Sequence, residues 1–103
     1  MIFSLENEVK INIKEIDKII DLRPKEEFER DVPFYKSLGI ETINIDFFVA
    51  PKEVENFDKE KSYLVVCYTG MLSSIIVEVM ESKGFKKVQS VEGGIGNLKK
   101  AIN

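Results

Sequence analysis

The sequence predicts an α/β fold in which a parallel central sheet of about four to five strands carries helices on both faces. Short runs of β-branched and aliphatic residues alternate along the chain with helical segments, which favours parallel strands joined by helical crossovers. The run over 63–67, Tyr-Leu-Val-Val-Cys, is apolar without interruption, as is typical of a strand buried on both faces. The chain has 103 residues, so we expect a single domain over 1–103.

The first element of the chain has two interpretations. Residues 8–14 alternate apolar and polar side chains, which indicates a half-buried strand that could pair with residues 2–5 in a hairpin. Asn12 and Glu15, however, have the spacing of a capping box, which indicates a short helical turn ending near Lys18. The sequence leaves both interpretations open.

Strands and helices then alternate up to residue 57. Pro24 and Pro51 each stand where the first turn of a helix tolerates proline, and each follows a run with strand character. The predicted order is a strand over 18–22, a helix over 24–29, a strand over 39–45 and a helix over 52–57.

The second half of the chain continues this alternation. After the strand over 63–67 comes a loop, and then a helix whose apolar residues recur at helical spacing. These residues are Leu72, Ile75, Ile76, Val79 and Met80. We expect them to form one stripe facing the core, and the helix to stop at Lys83-Gly84. A strand over 85–91, a turn at Gly93-Gly94 and a helix over 98–102 complete the prediction.

Composition and charge exclude several functional classes. The net charge is −3 and the basic residues form no dense cluster, so we expect no nucleic-acid partner. No apolar run reaches the ~18 residues of a membrane span, and the first residues lack the features of a secretory signal. We therefore expect no membrane partner and a cytoplasmic location. The single cysteine rules out an internal disulfide, and the absence of histidine excludes histidine-based metal sites and triads, so we expect neither metal nor cofactor.

Cys67 is the candidate nucleophile. It ends the strand over 63–67 and precedes the loop residues 68–73 and a helix, the place where ligands bind in open α/β sheets. A loop wrapped tightly before a helix turns its N–H groups inward, and these dipoles stabilise a thiolate. Gly70 permits such a turn. On position alone, Cys67 could equally be a small buried hydrophobic residue.

Four segments resemble the rhodanese-homology family over about residues 12 to 98. They are Ile20-Asp-Leu-Arg-Pro-Lys-Glu-Glu-Phe28, Ile43-Asn-Ile45, Val65-Val-Cys-Tyr-Thr-Gly70 and Val91-Glu-Gly-Gly94. The resemblance implies a single-domain sulfurtransferase or persulfide carrier, in which a small-molecule or protein donor places sulfur on Cys67 and a thiol acceptor removes it. It also implies a substrate-binding and anion-binding loop, formed by Tyr68, Thr69, Gly70, Met71, Leu72 and Ser73.

The resemblance gives Asp21 and Arg23 a supporting role. We expect Arg23 to form an ion pair near the surface with Asp21, Glu26 or Glu27 and to serve structure more than catalysis. Ser73 and Ser74 are predicted first as helix N-caps.

The loop departs from the family pattern at one position. Relatives have Cys-x-x-Gly-x-Arg, whereas this chain has Leu72, and no basic residue lies between Lys61 and Lys83. The Trp that is common after the double glycine is also absent. A dianionic donor such as thiosulfate would meet N–H groups but no cation, so we expect weak thiosulfate activity. The alternative is a catalytically weak or inactive module for protein docking or regulation; a cysteine phosphatase would itself need the missing arginine.

Overall fold

The central sheet is parallel and has four strands, in the order β2-β1-β3-β4. The computed structural model describes residues 11–102, and only the backbone of Ile102. The strands are β1 (Lys18–Asp21), β2 (Glu41–Asn44), β3 (Ser62–Val66) and β4 (Lys87–Ser90). All five residues of β3 are buried, as the uninterrupted apolar run predicts. The predicted α/β fold with a parallel sheet is confirmed.

Helices cover both faces of this sheet. They are α1 (Lys25–Arg30), α2 (Val32–Leu38), α3 (Ala50–Glu53), α4 (Met71–Ser82) and α5 (Ile95–Ile102). Ile20 and Val65 point to an apolar cluster with α3 and α4, while Ile19 and Leu64 point to a second cluster with α1, α2 and α5. Because neighbouring residues of a strand face opposite sides, the two central strands, β1 and β3, each contribute to both clusters.

The N-terminal ambiguity is resolved for the described residues. Ile13–Glu15 form a 3-10 turn, and the Asn12 side chain accepts a hydrogen bond of 3.2 Å from the Lys14 backbone N–H. The helical interpretation is therefore right for residues 12–15, although the turn ends before Lys18, where β1 begins. Residues 8–10 of the alternative strand and its hairpin partner at residues 2–5 lie outside the described residues.

Several boundaries differ from the prediction. Helix α2 was not predicted; Pro33 stands in its first turn, and Gly39, with φ of 70°, ends it in the left-handed conformation that glycine tolerates best. The predicted helix over 52–57 is α3 followed by a 3-10 turn at Val54–Asn56. The last strand is shorter than 85–91, and α5 begins at Ile95 rather than at Leu98.

Helix α4 turns only part of the predicted stripe to the core: Ile76 and Met80 are buried as predicted. Its buried residues are Ser73, Ile76 and Met80. Leu72 is 37% exposed and Ile75 is 45% exposed, so the prediction that they face the core is wrong. Periodicity gives the spacing of a stripe, but contacts with the loop before the helix decide which face is buried.

Within the described part of the chain, no helix combines the length and the hydropathy needed to cross a membrane.

Candidate active site

Cys67 lies at the carboxyl edge of the sheet, directly after β3. Its carbonyl accepts a hydrogen bond of 2.9 Å from the Ile95 N–H at the start of α5, and the N–H of Leu22 donates to the Val66 carbonyl beside it. The cysteine is only 2% exposed and belongs to the apolar cluster formed with α3 and α4. Backbone contacts with two neighbouring segments therefore fix the position of the sulfur.

The sulfur of Cys67 accepts hydrogen bonds from two N–H groups, and the neutral thiol donates one to the Ser73 hydroxyl, which can donate in return once the sulfur is ionised. The Gly70 N–H lies 3.1 Å from Sγ, the Ser73 N–H lies 3.4 Å from it, and the Ser73 hydroxyl lies 3.5 Å from it. Burial by itself would raise the pKa of the Cys67 thiol. The Ser73 hydroxyl and the N–H groups of Ser73, Gly70 and Thr69 outweigh burial and lower this pKa below its ordinary value.

Two glycines allow the Cys67 loop to pack against the turn after β4. Gly70 has φ of 98°, and a Cβ there would lie 2.9 Å from the Val91 carbonyl oxygen. Gly94 has φ of 79°, and a Cβ there would lie 1.8 Å from the Tyr68 carbonyl oxygen. Both positions require glycine for its conformational freedom and for its lack of a side chain. The close backbone packing of the turn over 91–94 against the loop over 67–70 therefore depends on glycine at both positions.

The structure separates the predicted loop residues into two groups. Gly70 and Ser73 contact the sulfur through donors, whereas the side chains of Tyr68, Met71 and Leu72 are exposed around the loop. The prediction that Ser73 and Ser74 cap α4 is wrong, because Gly70 is the N-cap residue and both serines lie inside the helix. The Thr69 hydroxyl oxygen instead accepts a hydrogen bond of 3.3 Å from the Met71 N–H.

Ser90 is part of the site although the sequence analysis did not identify it. Its hydroxyl oxygen lies 2.6 Å from that of Ser73, which is fully buried. Ser90 also lines a cavity of about 350 Å³ beside the loop, together with Thr69, Gly70, Ser74 and Glu92. One signal was available: Ser90 is a polar residue at the carboxyl end of the strand next to β3, at the sheet edge where Cys67 lies.

Charges of both signs act on Tyr68 at the exposed rim of the loop. Loss of hydration and the Glu27 carboxylate, which accepts a hydrogen bond from the Tyr68 hydroxyl, raise the pKa of Tyr68, and the Arg23 guanidinium opposes them. None of the side chains from Tyr68 to Ser73 is basic, so what the loop offers to an anion around the sulfur is the N–H groups of Gly70 and Ser73 and the Ser73 hydroxyl.

Asp21 and Arg23 form a buried ion pair rather than one near the surface. The Arg23 Nη2 donates hydrogen bonds of 2.8 Å to Asp21 and to Asp31, and the Tyr35 hydroxyl donates one of 2.6 Å to Asp21. Burial opposes the charged guanidinium, but hydrogen bonds to the two carboxylates raise the pKa of Arg23. Asp21 is thus the partner that was expected. Asp31 was not, and it also pairs with Lys99 of α5 at 2.6 Å.

The pair lies beside the site rather than in it. The guanidinium of Arg23 is held by carboxylates that connect β1, α2 and α5, while the sulfur of Cys67 has Gly70 and Ser73 as its hydrogen-bond partners. Among residues 11–102, no three His, Cys, Asp or Glu side chains form a group able to hold a metal ion.

Comparison with known families and proteins gives a consistent result. The model of the rhodanese-like domain family matches residues 6–101. A putative sulfurtransferase of Bacillus subtilis, YtwF, is 33% identical over 87 residues, which cover 84% of this chain and 77% of that protein. The tRNA sulfurtransferase of Shewanella sediminis is 32% identical over 84 residues, which cover 82% of this chain. The matched region spans only 17% of that larger protein.

Solved structures agree with the sequence comparisons. A rhodanese-related protein from Thermoplasma volcanium superimposes with a TM-score of 0.69 at 25% identity, covering 86% of this chain and 82% of that one. A rhodanese-like domain protein from Staphylococcus aureus superimposes with a TM-score of 0.62 at 28% identity, covering 78% and 72%.

Proposed function

The chain belongs to the rhodanese-like domain family, and from this membership we propose that it is a sulfurtransferase or persulfide carrier that holds sulfane sulfur on Cys67. The observation that carries the proposal is the set of donors around the sulfur. Two backbone N–H groups, of Gly70 and Ser73, and the Ser73 hydroxyl converge on Sγ. These donors favour the thiolate, which is the nucleophilic form of cysteine.

The proposed reaction consists of two sulfur transfers and needs no oxidant or reductant. The Cys67 thiolate attacks the terminal sulfur of a donor persulfide, R–S–SH. The donor S–S bond breaks, R–S⁻ leaves with the electron pair, and Cys67 carries –S–SH. An acceptor thiolate then attacks the outer sulfur, takes it with its proton, and releases the Cys67 thiolate. The loop donors that stabilise the thiolate before the first transfer stabilise it again as the leaving group of the second.

The loop favours some donors over others. Thiosulfate brings two negative charges, and a charge-assisted hydrogen bond from a guanidinium would contribute more than a neutral N–H group. With Leu72 in that position and the Glu27 carboxylate beside Tyr68, we expect thiosulfate to bind weakly. A low-molecular-weight persulfide or a protein-borne persulfide is the better match for the site, and a thiol is the acceptor.

The test uses the fact that the chain has a single cysteine, so every alkylation or persulfide signal reports Cys67. The iodoacetamide rate should follow the thiolate fraction, with a midpoint below the value of about 8.5 for a free thiol. The intact mass should increase by one sulfur atom after exposure to a persulfide donor. The Cys67→Ser variant should keep the fold and lose both signals. A midpoint at or above about 8.5 together with no mass increase would contradict the proposal.

The second candidate is a module for docking or regulation, and two observations favour it. The loop has Leu72 where relatives have the arginine, and the sulfur belongs to a residue that is 2% exposed. Tyr68, Met71 and Leu72 also leave apolar surface exposed around the loop, and Ile75 is exposed one turn further along α4. An unreactive Cys67 in the alkylation experiment would favour this alternative over sulfur transfer.

A further inference from the structure

Two hydroxyl groups in line connect β4 to the sulfur of Cys67. The Ser73 hydroxyl oxygen lies 3.5 Å from Sγ and 2.6 Å from the hydroxyl oxygen of Ser90. Ser90 ends β4 and is paired in register with Val65, two residues before Cys67 on the neighbouring strand. The relative position of the two strands therefore fixes the distance between Ser90 and the site.

The Ser73 hydroxyl behaves differently from the other serines of α4. Ser74 and Ser82 donate to backbone carbonyls three residues back, at 2.8 Å and 2.7 Å, as serines inside helices commonly do. Ser73 instead has Ser90 and Cys67 as hydroxyl partners, in a place where it is fully buried. Its orientation thus depends on groups outside its own helix.

A count of hydrogens shows what Ser90 contributes. A hydroxyl has one hydrogen to donate, and a thiolate can only accept. When Cys67 is ionised, the hydrogen of Ser73 must point to Sγ, and the short contact with Ser90 is then satisfied only if Ser90 donates to Ser73. When Cys67 is neutral, both bonds can reverse, with the thiol donating to Ser73 and Ser73 donating to Ser90. Because donors in a chain polarise one another, donation by Ser90 strengthens the bond from Ser73 to the thiolate.

We propose that Ser90 is a positioning residue that acts through Ser73, holding the Ser73 hydroxyl toward the sulfur and sustaining the reactive thiolate. The benefit of a stabilised thiolate rests on the proposed function, since a sulfur carrier needs the thiolate both as nucleophile and as leaving group. The contacts between Ser90, Ser73 and Cys67 do not depend on any sulfur donor.

The test measures the pH profile of iodoacetamide alkylation at the single cysteine. Ser90→Ala should raise the apparent thiol pKa by about half a unit, which slows alkylation about threefold at pH values below it. Ser73→Ala should raise it by about one unit or more, because it removes a hydrogen bond made directly to a charge. Ser90→Thr keeps a hydroxyl on a strand and should restore the original profile.

The double variant and a matched control separate positioning from general damage. If Ser90 acts only through Ser73, the double variant Ser73→Ala with Ser90→Ala should have the profile of Ser73→Ala alone. Ser74 lies next to Ser73 in sequence and lines the same cavity as Ser90. Its replacement, Ser74→Ala, is the matched control and should leave the pKa of Cys67 unchanged. Thermal unfolding should show that each variant remains folded at the assay temperature.

An unchanged pKa in Ser90→Ala would overturn the inference, and so would shifts that add in the double variant. If Ser73→Ala does not fold, the comparison of Ser90→Ala with Ser90→Thr decides, because loss of the shift in Ser90→Thr is expected only if the hydroxyl matters. Alkylation requires no sulfur donor. A coupled shift in a protein that never accepts sulfur would therefore support the positioning role and contradict the proposed function.

Discussion

Replacing Leu72 by arginine tests whether the missing cation limits the use of thiosulfate. Leu72 is the second residue of α4 and is 37% exposed, so an arginine there can place its guanidinium in solvent beside the loop. A charge-assisted hydrogen bond contributes about 1.5–3 kcal/mol. Even the lower part of that range corresponds to about a tenfold rise in kcat/KM, since ~1.4 kcal/mol is a factor of ten. We therefore expect Leu72→Arg to raise thiosulfate kcat/KM by at least about tenfold.

The cost in stability should be small. A core leucine would cost more, but Leu72 is partly exposed, and the aliphatic stem of arginine can cover much of the same surface. We expect the free energy of unfolding to change by less than about 0.5 kcal/mol, as is usual for surface substitutions. Urea unfolding of both proteins checks this expectation.

The assay follows sulfite release from thiosulfate with a thiol acceptor, and Ile75→Arg is the matched control. Ile75 is 45% exposed and lies about one turn further along α4, so the control adds the same charge without placing it at the loop. A rise in Leu72→Arg alone indicates a positioned guanidinium, and an equal rise in both variants indicates a general effect of net charge. If Leu72→Arg folds and its thiosulfate activity does not rise, the reasoning about the lost anion contact is refuted.

Two further substitutions test the frame that holds the site. Arg23→Ala should lower the free energy of unfolding by about 3–5 kcal/mol in urea titrations, because it leaves the carboxylate of Asp21 buried without its cation. A loss below about 1 kcal/mol would contradict the interpretation of Asp21 and Arg23 as a buried ion pair. Gly94→Ala should cost more than about 2 kcal/mol and slow alkylation of Cys67, because the new Cβ would overlap the loop backbone at a positive φ. Gly96→Ala is the control, because Gly96 lies inside α5 and an added Cβ would meet nothing within 4 Å beyond its chain neighbours and its own helix backbone; it should cost nothing.

The sequence was sufficient for the features that depend on local pattern. The apolar run over 63–67 and the alternation of strands with helices predict a parallel sheet, because only a strand covered on both faces tolerates such a run. The place of Cys67 after that strand follows from the same pattern. Gly70 was identified as the residue of the tight turn, and its φ of 98° agrees.

The features that were missed depend on distant contacts. The apolar spacing of α4 identified Ile76 and Met80, but it did not show that Ser73 is buried against the sulfur and β4 while Leu72 and Ile75 are exposed. The pairing of Arg23 with Asp31 depends on α2, a helix that the sequence analysis did not predict. The place of Ser90 near the end of the last strand was a signal for the site, but its contact with Ser73 depends on the register of β4 against β3.

The charges and dipoles around Cys67 indicate which sulfur species we expect the loop to bind. Neutral donors, from Gly70 and Ser73, surround the sulfur, and the acid beside Tyr68 opposes further negative charge near the rim. Dipoles of this kind stabilise one negative charge held at a fixed point, which describes a thiolate or a persulfide anion. A free dianion must bring a second charge into the same place, where no loop side chain carries the positive charge to offset it. We therefore expect the loop to accept sulfur carried on thiols more readily than thiosulfate. We expect the Ser90 hydroxyl, which lies behind Ser73, to strengthen the stabilisation of the thiolate without changing this preference.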